Sequence, residues 1–70
     1  MHSIKFNIST LAEDLKFMRR TSGMTQREVA ERLGIIRQTI TNYENGERTP
    51  DIKTLSAMLQ LYGYDIYFEN

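Results

Sequence analysis

Arg37, Gln38, Thr41, Asn42 and Asn45 are the residues whose types and spacing invite a chemical reading. At the roughly 100° per residue of an α-helix they fall on one side, with Ile40 and Tyr43 opposite. That polar side is short-chained and amide-rich, with one arginine. Arginine pairs bidentately with guanine, and glutamine or asparagine with adenine; threonine contacts a base edge or a thymine methyl. An ordinary solvated helix face carries lysine and glutamate in i,i+4 pairs instead, and these are scarce here. The chemistry on offer is recognition by hydrogen bonding. Nothing comparable points to catalysis. The single histidine is His2, and Glu13 and Asp14 are adjacent and so do not face each other on a helix. No phosphate loop, metal cluster or nucleophile constellation is present. The sequence therefore predicts no catalytic residue, no metal, no cofactor and no enzyme.

The elements that must position those side chains are legible from caps and stops. Gly23, Gly34, Gly46 and Gly63 each follow a segment with helical apolar spacing, as expected of residues just past helix ends. Thr10–Glu13 and Thr25–Glu28 both have the capping-box form, a threonine followed three residues on by glutamate. Pro50 presets the backbone before Asp51, which can cap a last helix. Helices are predicted near 10–21, 25–33, 36–45 and 51–62. Leu11, Leu15 and Met18, then Val29, Ala30 and Leu33, then Ile40 and Tyr43, then Ile52, Leu55, Leu59 and Tyr62 form their core stripes. Residues 4–8 and 64–68 alternate apolar and polar, which reads as two short strands. An isolated ribbon is marginal in water, so these strands are expected to form or support a dimer interface. The fold class expected is all-α, with four helices and short terminal β-strands.

The 70 residues are read as one domain, with its centre at about 25–46. Cysteine is absent, which excludes disulfides. Apolar runs are far too short for a membrane span, and the start lacks a signal-peptide apolar region, so a cytoplasmic location is expected. The formal net charge is zero, unusual for a domain that binds nucleic acid. Distribution matters more than the sum. Lys16, Arg19, Arg20, Arg27, Arg32 and Arg37 share a stretch with only Glu28 and Glu31. One face can be basic on a neutral molecule.

Residues 25–46 have a helix-turn-helix layout. Ala30 is small where two helices cross, Gly34 tolerates the turn, and Ile40 and Tyr43 face inward from the second helix. Thr25 through Gly34, then Thr39-Ile40 and Tyr43-Glu44-Asn45-Gly46, resemble the lambda-repressor/Cro (xenobiotic-response-element) class of helix-turn-helix proteins. The similarity runs from about Leu11 to Gly63. It implies a lambda-repressor-like fold, binding to double-stranded DNA, and roles at matching positions. Arg37, Gln38, Thr41 and Asn42 match base-reading positions. Gln26 matches a phosphate-touching glutamine that supports the reading helix, with Thr25 beside it. Asn45, Arg48 and Thr49 match a second phosphate clamp. Arg19 and Glu44 match a structural ion pair.

Two departures stand out. Ile36 occupies a position where the family has serine or threonine, so it neither caps the helix nor reaches a phosphate; inward packing near Ile40 and Tyr43 is expected ahead of contact with a thymine methyl. The C-terminal strand resembles that of antitoxins from toxin–antitoxin pairs. The function expected is a dimeric transcriptional regulator, a repressor on a palindromic operator, with half-sites about 34–36 Å apart. The alternative is an antitoxin that binds a toxin as well as DNA, for which Phe17, off the first core stripe, is a candidate contact.

Overall fold

The computed structural model describes residues 10–65. Four helices follow one another along the chain: α1 (Leu11–Thr21), α2 (Gln26–Leu33), α3 (Arg37–Glu44) and α4 (Ile52–Leu61). Helix α3 packs against both α1 and α2, and α4 packs against α2. The predicted strand 4–8 lies outside the described residues, as does most of 64–68.

Two of the four starts behave as the side chains dictate. Thr25 has extended backbone, its hydroxyl accepts from the Glu28 amide, and the Glu28 carboxylate accepts from the Thr25 amide at 2.9 Å. Asp51 accepts from the Thr54 amide at 2.7 Å, behind a buried Pro50. Helix α3 starts on Ile36, which has extended backbone and, as its side chain requires, no side-chain cap. The first start departs from expectation. Thr10 has φ −114° and ψ 2° and makes no side-chain cap. That backbone turns its hydroxyl away from the Glu13 amide, and it donates instead to Asp14 Oδ2 at 3.1 Å.

The core gathers Leu11, Leu15 and Met18 from α1, Val29 and Ala30 from α2, Ile40 and Tyr43 from α3, and Met58, Leu59 and Tyr62 from the last helix and its end. Leu15, Val29, Ile40 and Met58 are wholly buried. Removing such a side chain from water stabilises the fold by about 1.5–3 kcal/mol. Two expected core residues lie outside it. Ile52 is 64% exposed because it opens α4 a turn before the packed stretch, and Met58 fills the interior in its place. Ile36 is 70% exposed, since Ile40 and Tyr43 already occupy the inner face of α3.

The turn between α2 and α3 depends on Gly34. Its φ of +69° and ψ of 31° lie in the left-handed region, which a Cβ disfavours. The Ile35 amide then donates to Ala30 O at 3.0 Å. The chain thus reverses over Gly34–Ile36 and sends α3 across α2 where Ala30 is small.

Candidate nucleic-acid interface

Most of the outer side of α3 is uncovered among the described residues. Arg37, Gln38 and Asn45 are exposed, and Thr41 and Asn42 are half-buried. Gln38 Nε2 donates to Asn42 Oδ1 at 3.0 Å, one turn along the helix. That bond uses one donor of Gln38 and one acceptor of Asn42. It leaves the Gln38 carbonyl oxygen, its second amide hydrogen and both amide hydrogens of Asn42 for other partners. An acceptor beside a donor complements the N6/N7 edge of adenine. Arg37 adds a planar fork suited to guanine.

A buried polar network holds α3 in place. Arg19, in the last turn of α1, donates from Nε to Glu44 Oε2 at 2.7 Å and from Nη2 to Glu44 Oε1 at 3.0 Å. Its Nη1 also donates to Met24 O at 2.8 Å. Both residues of the pair are only 8% exposed. The hydrogen bond with Glu44 raises the Arg19 pKa, so the guanidinium keeps its charge despite burial. This is the pair that the family resemblance implied, found with bidentate geometry.

Gln26 extends the network onto the outer side of α3. Its Nε2 donates to Glu44 Oε1 at 3.1 Å, and its Oε1 accepts from the Thr41 hydroxyl at 3.0 Å. Both ends of the amide are engaged, which sets its orientation and leaves one amide hydrogen to spare. A single chain of contacts therefore joins α1, the first residue of α2 and the middle of α3. The Thr41 hydroxyl hydrogen is spent on Gln26 Oε1 and on Arg37 O, at 3.0 and 3.3 Å, which leaves the hydroxyl its acceptor lone pairs.

The loop after α3 is tightly wound. The Glu47 and Arg48 amides both donate to Asn42 O, at 3.0 and 3.2 Å. Asn45 Oδ1 accepts from the Glu47 amide at 3.1 Å. The Asn45 NH₂ group, the Arg48 guanidinium and the Thr49 hydroxyl are then the side-chain donors of this loop, all three on exposed residues. Thr25 spends its hydroxyl lone pair and amide on the capping box, while its hydroxyl hydrogen stays available.

An open cleft of about 630 Å³ lies beside α3 and is lined by Lys16, Arg20, Arg27 and Arg37, along with Arg19, Thr25 and Gln26. Among the described residues, no acidic side chain lines it. This is how a chain of zero net charge presents a cationic surface. Lys16, Arg20 and Arg27 are not site residues on the sequence reading. The signal is there, in the basic stretch from Lys16 to Arg37, but only the packing of α1 against α3 shows which of those cations share a surface.

Residues 15–68 match the family described as Helix-turn-helix. The chain is 42% identical over 53 residues to the HTH-type transcriptional regulator ImmR of Bacillus subtilis, spanning 76% of this chain and 42% of ImmR. It is 36% identical over 56 residues to antitoxin HipB of Escherichia coli K12, spanning 80% of this chain and 60% of HipB. The chain spans about half or less of the length of the curated regulators it matches first. Among solved structures it is similar to a chain of the HipA-HipB-O2-O3 complex, with a TM-score of 0.73, 28% identity, and coverage of 99% of this chain and 97% of that one. A second match, to the HipB-O4 20mer complex, has a TM-score of 0.74 and 28% identity, covering 99% of this chain and 97% of the other.

Proposed function

The chain belongs to the helix-turn-helix family, in its xenobiotic-response-element class, and from that premise we propose that it is a sequence-specific DNA-binding transcriptional regulator, a repressor acting as a homodimer in the cytoplasm. The observation that carries this is the exposed face of α3, offered outward by a buried ion pair that ties it to α1. The reading assigns base contacts to Arg37, Gln38, Thr41 and Asn42. It assigns phosphate contacts to Thr25, Gln26, Asn45 and Arg48. Phosphate contacts fix the register, and base contacts specify the sequence. The cationic cleft supports the same docking, since neutralising phosphates releases counterions and supplies sequence-independent affinity. No step of this role requires catalysis or a cofactor.

Selection of bound duplexes from a random DNA pool tests the reading, because it returns half-site, spacing and symmetry together. On the selected duplex, Gln38→Ala is expected to cost about 1–3 kcal/mol and to relax the preference at one base pair. Arg48→Ala is expected to weaken all sequences alike and to lower the salt slope by about one. If both variants bind the selected duplex like the parent, α3 is not the reader.

A second reading, an antitoxin that also binds a partner toxin, is favoured by the similarity to antitoxin HipB and by Phe17, 67% exposed on α1. The two readings part on whether a protein encoded next to this chain co-purifies with it. Loss of that complex in Phe17→Ala, with DNA binding retained, would establish the second.

A further inference from the structure

Ile36 stands where the recognition helix begins, and nothing in the described fold uses it. Its side chain makes no cap and is 70% exposed. Its carbonyl accepts from the Thr39 amide at 3.1 Å, so the backbone there is already helical in its bonding while the side chain stands clear. The next two residues, Arg37 and Gln38, are exposed on the same end of α3. N-terminal residues of a recognition helix are those that approach base edges in the major groove. An isoleucine there can neither donate nor accept a hydrogen bond. The apolar group that the major-groove edge of standard DNA offers is the 5-methyl of thymine.

Resting on the DNA-binding reading above, we propose that Ile36 is a specificity-determining residue that reads the thymine 5-methyl group in each half-site, next to the bases contacted by Arg37 and Gln38. The discrimination comes from apolar contact. Thymine is preferred over cytosine because only thymine carries the methyl, and a serine at this position would lose that preference while gaining a cap for α3.

The test uses the full chain and a duplex selected from a random pool, with each thymine replaced in turn by deoxyuridine, which lacks only the methyl group. Affinity is measured for the parent, Ile36→Ala and Ile36→Ser. The expected result is one thymine per half-site whose replacement weakens the parent about fourfold, the value of one buried methyl group. Both variants are expected to be indifferent to that replacement. A thermal melt of Ile36→Ser higher than that of the parent shows that its altered preference does not come from lost folding. If no deoxyuridine position separates parent from variants while the parent binds the duplex well, the inference fails and the DNA-binding reading survives. If the pool yields no bound duplex, both fail together.

Discussion

Arg19 and Glu44 are where a single residue matters most. Two charges in a nearly dry site are tolerable because each satisfies the other with bidentate geometry. Removing one partner strands the other, so Glu44→Gln is expected to destabilise the fold by about 3 kcal/mol, read from the urea midpoint. The double replacement Arg19→Met with Glu44→Leu is expected to be less destabilising than either change alone, because no unpaired charge is left. A double loss equal to the sum of the two single losses would show that the pair is not energetically coupled. Tyr62 lies against this pair. Its hydroxyl is buried with no hydrogen-bond partner among the described residues, and burial, reinforced by the Glu44 charge, pushes its pKa from 10.0 up to about 12. Since the folded value is the higher one, the neutral phenol's contribution is complete below pH 10 and is lost as pH rises from 10 to about 12. Chemical denaturation across that interval should reveal the loss in the parent and not in Tyr62→Phe.

At the scale of elements, the caps govern how sharply each helix starts. Thr25→Ala removes the hydroxyl half of the capping box before α2 and is expected to cost about 1 kcal/mol in thermal or urea unfolding. A cost near zero would mean that turn geometry and packing alone start α2. Capping also lowers the pKa of Glu28 below 4.5, through its bonds with Thr25, and that of Asp51 below 3.8, through the Thr54 amide. Depressed carboxylate values give stability that is present above the ordinary range and lost as pH falls through the folded values. Helix α3 has no such cap. Its hold on position comes from Ile40 and Tyr43 in the core and from Glu44 in the ion pair.

Across the whole molecule, the limit is the reach of one reading helix. Eight residues of α3 amount to about 12 Å of helix, or about four base pairs at 3.4 Å each. That is too little sequence for selective binding by one copy, which is the physical reason a second copy is proposed. Pairing through the C-terminal alternating segment makes a specific claim. A chain lacking residues 66–70 keeps Tyr64, whose amide donates to Leu59 O at 2.8 Å and which packs on the core. It should therefore stay folded and sediment as a monomer where the full chain sediments as a dimer. An unchanged mass would place the dimer interface elsewhere.

Local chemistry was enough to read most of the architecture from the sequence. Helix spans depend on short-range signals such as Thr25 with Glu28, Asp51 before Thr54 and the left-handed turn at Gly34, and those signals survive without knowledge of the fold. The polar face of α3 was legible for the same reason, since a 3.6-residue period converts spacing into sidedness. What lay beyond the sequence depends on which surfaces meet. The fate of Ile36 was not set by its hydrophobicity, because the buried side of α3 is taken by Ile40, Tyr43 and Glu44. Met58 displaced Ile52 from the core because the packing of α4 against α2 selects which of its apolar residues turn inward. The Arg19–Glu44 pair was implied by the family resemblance, but the joining of Gln26 and Thr41 to it, and of Lys16, Arg20, Arg27 and Arg37 along one cleft, required three helices to be placed first, because electrostatics and hydrogen bonds act over a few ångströms of space and take no account of distance along the chain.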